Sequence, residues 1–174
     1  MKRVLLKTHL LLCHLLFYVN HRIYMRCFNA YLKAAGTTLY GVPRYIGIHV
    51  KFDDFRLIEI GDKTTISDEC HLLTHDYSIT NAMRATGKIF PTDIAIVRGI
   101  KIGNNCFIGK RALLLPGTEI GDHCIIGGGS VVRGKIASNS VVIGNPATTI
   151  ATTTELATKW EKYIETDAIR KDKV

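Results

Sequence analysis

Three things are missing from this 174-residue chain, and each closes off a class of protein. There is no paired cysteine spacing. Cys13, Cys27, Cys70, Cys106 and Cys124 are odd in number and no two are set as CxxC, so neither a zinc site nor a disulfide framework is expected. Free thiols fit a reducing cytoplasm. There is no apolar run long enough to cross a bilayer, which takes roughly 20 residues. The leucine-rich stretch from Val4 to Val19 follows Lys2 and Arg3 as a signal peptide would. Lys7, His9 and His14 interrupt it, however, and no small-residue cleavage site follows. Finally, the basic residues form no strip interleaved with aromatics. The net charge of +8 therefore points to an anionic cofactor or an acidic membrane surface rather than to nucleic acid.

The composition, 47% hydrophobic and 22% charged, suits one packed domain. Residues 1 to about 34 read as helical and amphipathic, ending near Gly36. This segment is expected to pack on its own protein or a neighbouring subunit, with peripheral contact at the inner face of the membrane as the alternative.

The strongest signal is a period of six. Ile60, Ile66 and Leu72 keep it, as do Ile102, Ile108, Leu114, Ile120, Ile126 and Val132. Glycine follows the aliphatic residue at Gly61, Gly103, Gly109, Gly121 and Gly127, where its tolerance of positive φ would help a turn. Four positions after the aliphatic residue stands a small one: Thr64, Cys70, Cys106, Ala112, Thr118, Cys124 or Ser130. A fixed short period marks stacked units. Each hexapeptide supplies one short strand and one tight turn, and three hexapeptides make one triangular coil. Coils stack at about 4.8 Å with the aliphatic side chains inward. The three repeat cysteines then belong to the core. The expected fold is an all-β solenoid, a left-handed parallel β-helix, over residues 42–150. An N-terminal helical segment (1–41) precedes it, and a C-terminal helix and tail (151–174) follow.

Val42 and Ile48 keep the period upstream, although Asp54 breaks it, and the register loosens again through Ile136, Val141 and Ile143. Between Leu72 and Ile102 the phase is lost, chiefly over residues 76–93. An excursion from a regular solenoid is where function tends to sit. Near the C-terminus Thr152 and Glu155 fit a capping box, and Leu156, Trp160, Tyr163 and Ile164 form a stripe suited to covering the open end of the solenoid or bracing a neighbour.

The stretch IGNNCFIGKRALLLPGTEIGDHCIIGGGSVV (102–132), followed by GNPA (144–147), resembles the hexapeptide-repeat O-acetyltransferases that act on galactosides, maltose and capsular polysaccharide. The LLTHDYS segment (72–78) adds a second match: His75 stands where that family carries its catalytic base, just before the extruded loop. The resemblance implies a homotrimer with acetyl-CoA as donor. The pantetheine arm would lie between coils of two subunits, against Gly109, Gly127 and Gly128. Lys110, Arg111, Arg133 and Lys135 are candidates for its phosphates. Asp53, Asp54, Tyr77, Asn81, Arg84 and Phe107 are candidates for the sugar; at Phe107 the family often carries tryptophan. The expected reaction is direct acetyl transfer to a sugar hydroxyl of a surface polysaccharide or glycan. His75 acts as general base, with no metal and no cysteine nucleophile.

Two other functions share the pattern: an acetyltransferase for antibiotics, and a non-catalytic hexapeptide scaffold. A γ-type carbonic anhydrase needs three histidines converging on zinc. His75 and His123 are not separated by a whole number of coils, and the stretch 102–122 supplies no third. His49 and His123 read as surface residues, and His71 as the last position of a repeat turn.

Overall fold

The computed structural model describes residues 2–166 and residue 169, with side chains from Val4 onward; the rest of the expected C-terminal tail lies outside the described residues. Helices α1 (Lys2–Val19) and α2 (His21–Ala35) form a hairpin broken at Asn20. Asn20 is the N-cap of α2, its side-chain oxygen accepting from the backbone N–H of Arg22 and Ile23. Gly36 ends α2 at φ 117°, the left-handed cap that favours glycine.

The chain then coils through two rungs: β1 (Thr38–Leu39), β2 (Tyr45–Ile46) and β3 (Lys51–Phe52), then β4 (Ile58–Ile60), β5 (Thr65–Ile66) and β6 (His71–Leu72). It leaves the coil through β7 (His75–Asp76), α3 (Ser78–Ala85) and β8 (Ile96–Val97). Two further rungs follow: β9 (Ile100–Ile102), β10 (Phe107–Ile108) and β11 (Leu113–Leu114), then β12 (Glu119–Ile120), β13 (Ile125–Ile126) and β14 (Val131–Val132). A partial rung of β15 (Lys135–Ile136) and β16 (Ser140–Gly144) precedes β17 (Ala147–Thr152) and α4 (Thr153–Glu161).

Strands one rung apart pair in parallel and build three faces, ordered β1-β4-β9-β12-β15, β17-β16-β13-β10-β5-β2 and β14-β11-β6-β3. The chain is therefore a three-sided parallel β-solenoid carrying helices at both ends and in the excursion. Ile102 pairs with Ile120, Ile108 with Ile126 and Leu114 with Val132, each three hexapeptides further on. Across the excursion Ile60 pairs with Ile102, Ile66 with Ile108 and Leu72 with Leu114, each seven hexapeptides further on. The excursion thus adds a whole number of hexapeptides to the coil, and the rungs resume in register beyond it.

The first rung departs from the expected phase. Its inward residues are Leu39, Ile46 and Phe52, paired with Ile60, Ile66 and Leu72. Val42 is 67% exposed, because a longer connector moves it to the outer corner, where its N–H donates to Asp62 Oδ1. Pairing thus begins at Thr38, ahead of the expected start at Val42.

Two repeat positions have physical roles different from those their composition suggests. Glycines one place after the aliphatic residue are not at positive φ; they let successive rungs close. A Cβ at Gly61 would lie 2.4 Å from the Gly103 carbonyl, and one at Gly109 would lie 2.4 Å from Gly128 N. The left-handed turn residue comes three places after the aliphatic, at Lys63, Glu69, Asn105, Arg111, His123 and Asn139, or at Gly117 and Gly129. The small position is also a donor position. Thr64 Oγ1 donates to Gly103 O (2.7 Å), Cys106 Sγ to Gly121 O (3.0 Å) and Cys124 Sγ to Ala137 O (3.1 Å). Each satisfies a turn carbonyl of the next rung that burial would otherwise leave unpaired.

The open N-terminal end is plugged by α2. Tyr24, Met25, Phe28, Tyr31 and Leu32 are buried against the first rung, and Tyr24 Oη donates to Ile46 O at 2.7 Å. At the other end α4 has the expected capping box. Its apolar stripe does not cover the solenoid, however. Trp160, Tyr163 and Ile164 are exposed, and β17, folded back antiparallel on β16, sets the helix beside those two strands.

Candidate active site

His75 opens the excursion. Strand β7 pairs antiparallel with β8, His75 opposite Val97, so the imidazole is fixed at the root of the loop where it leaves the solenoid. Its side chain is 38% exposed. On the rung below, β3 is followed by two aspartates, Asp53 and Asp54, where the period is interrupted. His75 Nδ1 lies 3.7 Å from Asp53 Oδ2 and 3.7 Å from Asp54 Oδ2. His71 Nε2 donates to the other Asp53 oxygen at 2.8 Å, and Thr74 Oγ1 donates to Asp54 Oδ2 at 2.8 Å.

Asp53 Oδ2 is buried and makes no hydrogen bond, so it is an acceptor waiting for a donor, with His75 Nδ1 the ring nitrogen facing it. A carboxylate on one ring nitrogen fixes the tautomer and leaves the other nitrogen to act as base. His71, expected at the end of a turn, instead holds this carboxylate from strand β6. The Tyr77 ring meets His75 edge-on, with centroids 5.6 Å apart.

Two clefts flank the site. One of about 510 Å³ is lined by Asp53, Asp54, Arg56 and Val97. The other, about 330 Å³, lies between Asp76, Arg98, Pro116 and Arg133. The Asp76 carboxyl is held below the usual carboxylate range by the Ser78 backbone N–H and hydroxyl, with Arg133 adding to the effect. Among the described residues neither Arg98 nor Arg133 is paired with a carboxylate, so this cleft offers two cations to an anion.

The other expected residues are spread more widely. Lys110 and Arg111 both grip Glu69, and Lys135 pairs with Glu119 at 3.2 Å, so these three are partly neutralised. Gly109 is packed against the next rung, and Gly127 against Ile143, which leaves exposed Gly128 as the most open of the three glycines. Phe107 is exposed on the second face. Asn81 is exposed on α3. Arg84 is tied to Asp93 at 2.8 Å, pinning the loop. His49 and His123 are exposed, the former paired with Asp68.

Arg56, Arg98 and the His71 contact were not found from the sequence, since none stands at a repeat position with a distinctive residue type. The repeat thiols are no nucleophiles: burial pushes Cys70 and Cys106 up to about 11. Away from this site, His9, Cys13 and Cys27 come together between α1 and α2, with ligand atoms within 4.8 Å of one another. Sequence spacing carried no sign of that cluster. Burial pushes the Cys13 thiol up to about 12.

A three-sided parallel solenoid of six-residue repeats, with a histidine at the root of its excursion, is the arrangement to set beside known proteins. The family described as bacterial transferase hexapeptide (six repeats) matches residues 99–134. A putative lipopolysaccharide biosynthesis O-acetyl transferase, WbbJ, of Escherichia coli K12 is 26% identical over 84% of this chain and 86% of its own length. The galactoside O-acetyltransferase of the same organism is 30% identical over 61% of this chain, but over only 49% of its own length. A solved galactoside acetyltransferase in complex with coenzyme A superposes with TM-score 0.61 at 21% identity, covering 99% of this chain and 88% of that one. The chain carries the transferase hexapeptide repeats over residues 99–134, is similar to O-acetyltransferases beyond them, and is in enzyme class an acyltransferase.

Proposed function

We propose that this protein transfers an acetyl group from acetyl-CoA to a hydroxyl of a sugar, in the modification of a surface polysaccharide or glycan, with His75 as general base. The observation that carries this reading is the histidine itself, open to solvent at the root of the excursion, with Nδ1 3.7 Å from the buried, unbonded Oδ2 of Asp53. A sugar hydroxyl is a poor nucleophile until its proton is removed as the new bond forms. His75 Nε2 takes that proton while the hydroxyl oxygen attacks the thioester carbon. Collapse of the tetrahedral intermediate breaks the C–S bond, and His75 returns the proton to the departing CoA sulfur. Asp53 holds Nδ1–H and stabilises the imidazolium formed in between. The thioester is already activated, so no acyl-enzyme is needed.

The donor's phosphates would lie near Arg98 and Arg133, and the acceptor in the cleft beside Asp54 and Arg56. The coil winds left-handed, the hand that the family resemblance implies. Three copies would complete the sites at their interfaces. The tip of the excursion supports this assembly, because Ile89 is 87% exposed and Phe90 stands beside it in the open. An apolar tip of this kind calls for a partner surface.

The test is thiol release from acetyl-CoA in the presence of a panel of mono- and oligosaccharides, run beside His75→Ala. Release that needs a sugar and vanishes in the variant supports the reading. Release that is indifferent to the variant removes His75 as base. Release with antibiotic acceptors alone moves the acceptor class. Absence of both release and CoA binding by calorimetry ends the reading.

A further inference from the structure

The charge of this chain is not spread over it. Eight of its 23 Lys and Arg lie before residue 53, and none of its 15 Asp and Glu does; Asp53 is the first acidic residue. The rest of the chain carries 15 charges of each sign, so the whole net charge of +8 resides ahead of Asp53.

The same segment holds an unpartnered apolar face. Helix α1 packs Leu6, Leu10, Cys13, Leu16 and Phe17 inward. On its opposite side Val4, Leu5, Leu11, Leu12, Leu15 and Val19 are all exposed. At about 100° per residue these six fall within one continuous stripe. A helix apolar on both sides needs covering on both, and α2 covers only one. No described helix is long and apolar enough to cross a membrane, so α1 is suited to lie on one.

Beside α2, Arg22, Arg26, Arg44 and Lys63 line one open groove of about 480 Å³. Among the described residues none of the four is paired with a carboxylate.

We propose that the α1–α2 hairpin docks the enzyme on an anionic phospholipid surface, α1 laying its stripe into the bilayer interface and the four cations receiving lipid phosphates. An anionic surface is chosen over a second copy of the chain on charge. A homotypic contact would bring two segments of +8 together, whereas anionic headgroups neutralise them. The proposal deepens the glycan-acyltransferase reading by placing the acceptor on a lipid carrier, and for that consequence alone it rests on that reading.

The test uses the full chain in co-sedimentation with phosphatidylcholine vesicles, with and without phosphatidylglycerol. Binding is expected to need the anionic lipid and to weaken as salt rises. Leu11→Asp with Leu15→Asp, both exposed and so compatible with folding, is expected to cut the bound fraction at least about tenfold. Arg22→Glu with Arg26→Glu should cut affinity about 30-fold or more, at roughly tenfold per 1.4 kcal/mol and about 1 kcal/mol per cation. Circular dichroism checks that both variants remain folded.

Three outcomes overturn the proposal. Equal binding to neutral vesicles removes the charge argument. Absence of vesicle binding, with the leucine variant dissociating an oligomer in sedimentation, makes the face a homotypic contact. Inorganic phosphate bound through Arg22 and Arg26 by calorimetry, without vesicle binding, makes the groove a soluble-anion site. Transfer to a soluble acceptor is expected to be unchanged in the Leu11/Leu15 variant, so a failed vesicle result and a failed acyltransferase reading are separable.

Discussion

The rungs from Ile100 to Val132 and the corner that holds His75 are built from the same hexapeptides and obey opposite rules. In the regular rungs every sixth residue is inward, every turn is tight, and rung copies rung at every third hexapeptide. At the His75 corner the period fails twice: in the first rung Asp53 and Asp54 follow β3, and in the second His75 follows β6. Lys51 pairs with His71 on the next rung, and His71 reaches Asp53 two residues further along, so the two failures are stacked one above the other. A regular solenoid buries what it repeats. A reactive group needs a corner where two consecutive rungs give up the repeat together.

This contrast can be broken from either side. The largest effect is expected at the irregular corner: His75→Ala should lower kcat by about 10²–10⁴-fold, with the circular dichroism spectrum unchanged. Equal loss of activity and of helical and strand signal would make His75 structural. Asp53→Asn keeps the shape but not the charge, and should lower kcat about 10²-fold or more with KM for the donor little moved. Its pH–rate profile should shift as well, which a merely structural role would not produce.

On the regular side the currency is stability. Leu114→Ala should cost about 2–5 kcal/mol in denaturant unfolding, since Leu114 is fully buried between rungs. Gly109→Ala should cost about 1–3 kcal/mol, because its Cβ would meet backbone of the next rung and nothing there can move aside. The smallest effect belongs to the excursion: Arg84→Ala removes an exposed pair with Asp93 and should cost no more than about 1 kcal/mol. The thiols sharpen the same contrast chemically. With Cys70 and Cys106 pushed up to about 11 by burial, both stay protonated at neutral pH, and native protein should resist iodoacetamide at those positions until it is unfolded.

Legibility in the sequence followed the same divide. Stacked units could be read from Ile102 to Val132 because one side chain type recurs at one spacing. His75 was singled out by the family resemblance, on its place where the repeat stops. The first rung misled at Val42, since its connectors are longer and an apolar residue kept the period by coincidence on an exposed corner. The reason for the glycines was misread because composition does not distinguish a residue that needs positive φ from one that needs no Cβ. The clamp of His71 on Asp53 was invisible because it forms between rungs, and its residues hold no mark along the chain. Of the two roles expected for the α4 stripe, covering the solenoid end is not the one taken: β17 returns antiparallel on β16, which no local pattern announces, and the stripe stays exposed on this chain.

That return strand has a consequence for the molecule as a material. A parallel solenoid offers the same unpaired edge at its last rung as at every earlier one, and identical edges stack without limit. Here β17 lays a strand of opposite direction on β16, and α2 closes the other end with Tyr24 bonded to the first rung. The two ends no longer match. On the face that ends in β16, a pattern that contains no instruction to stop is closed by a strand running the wrong way.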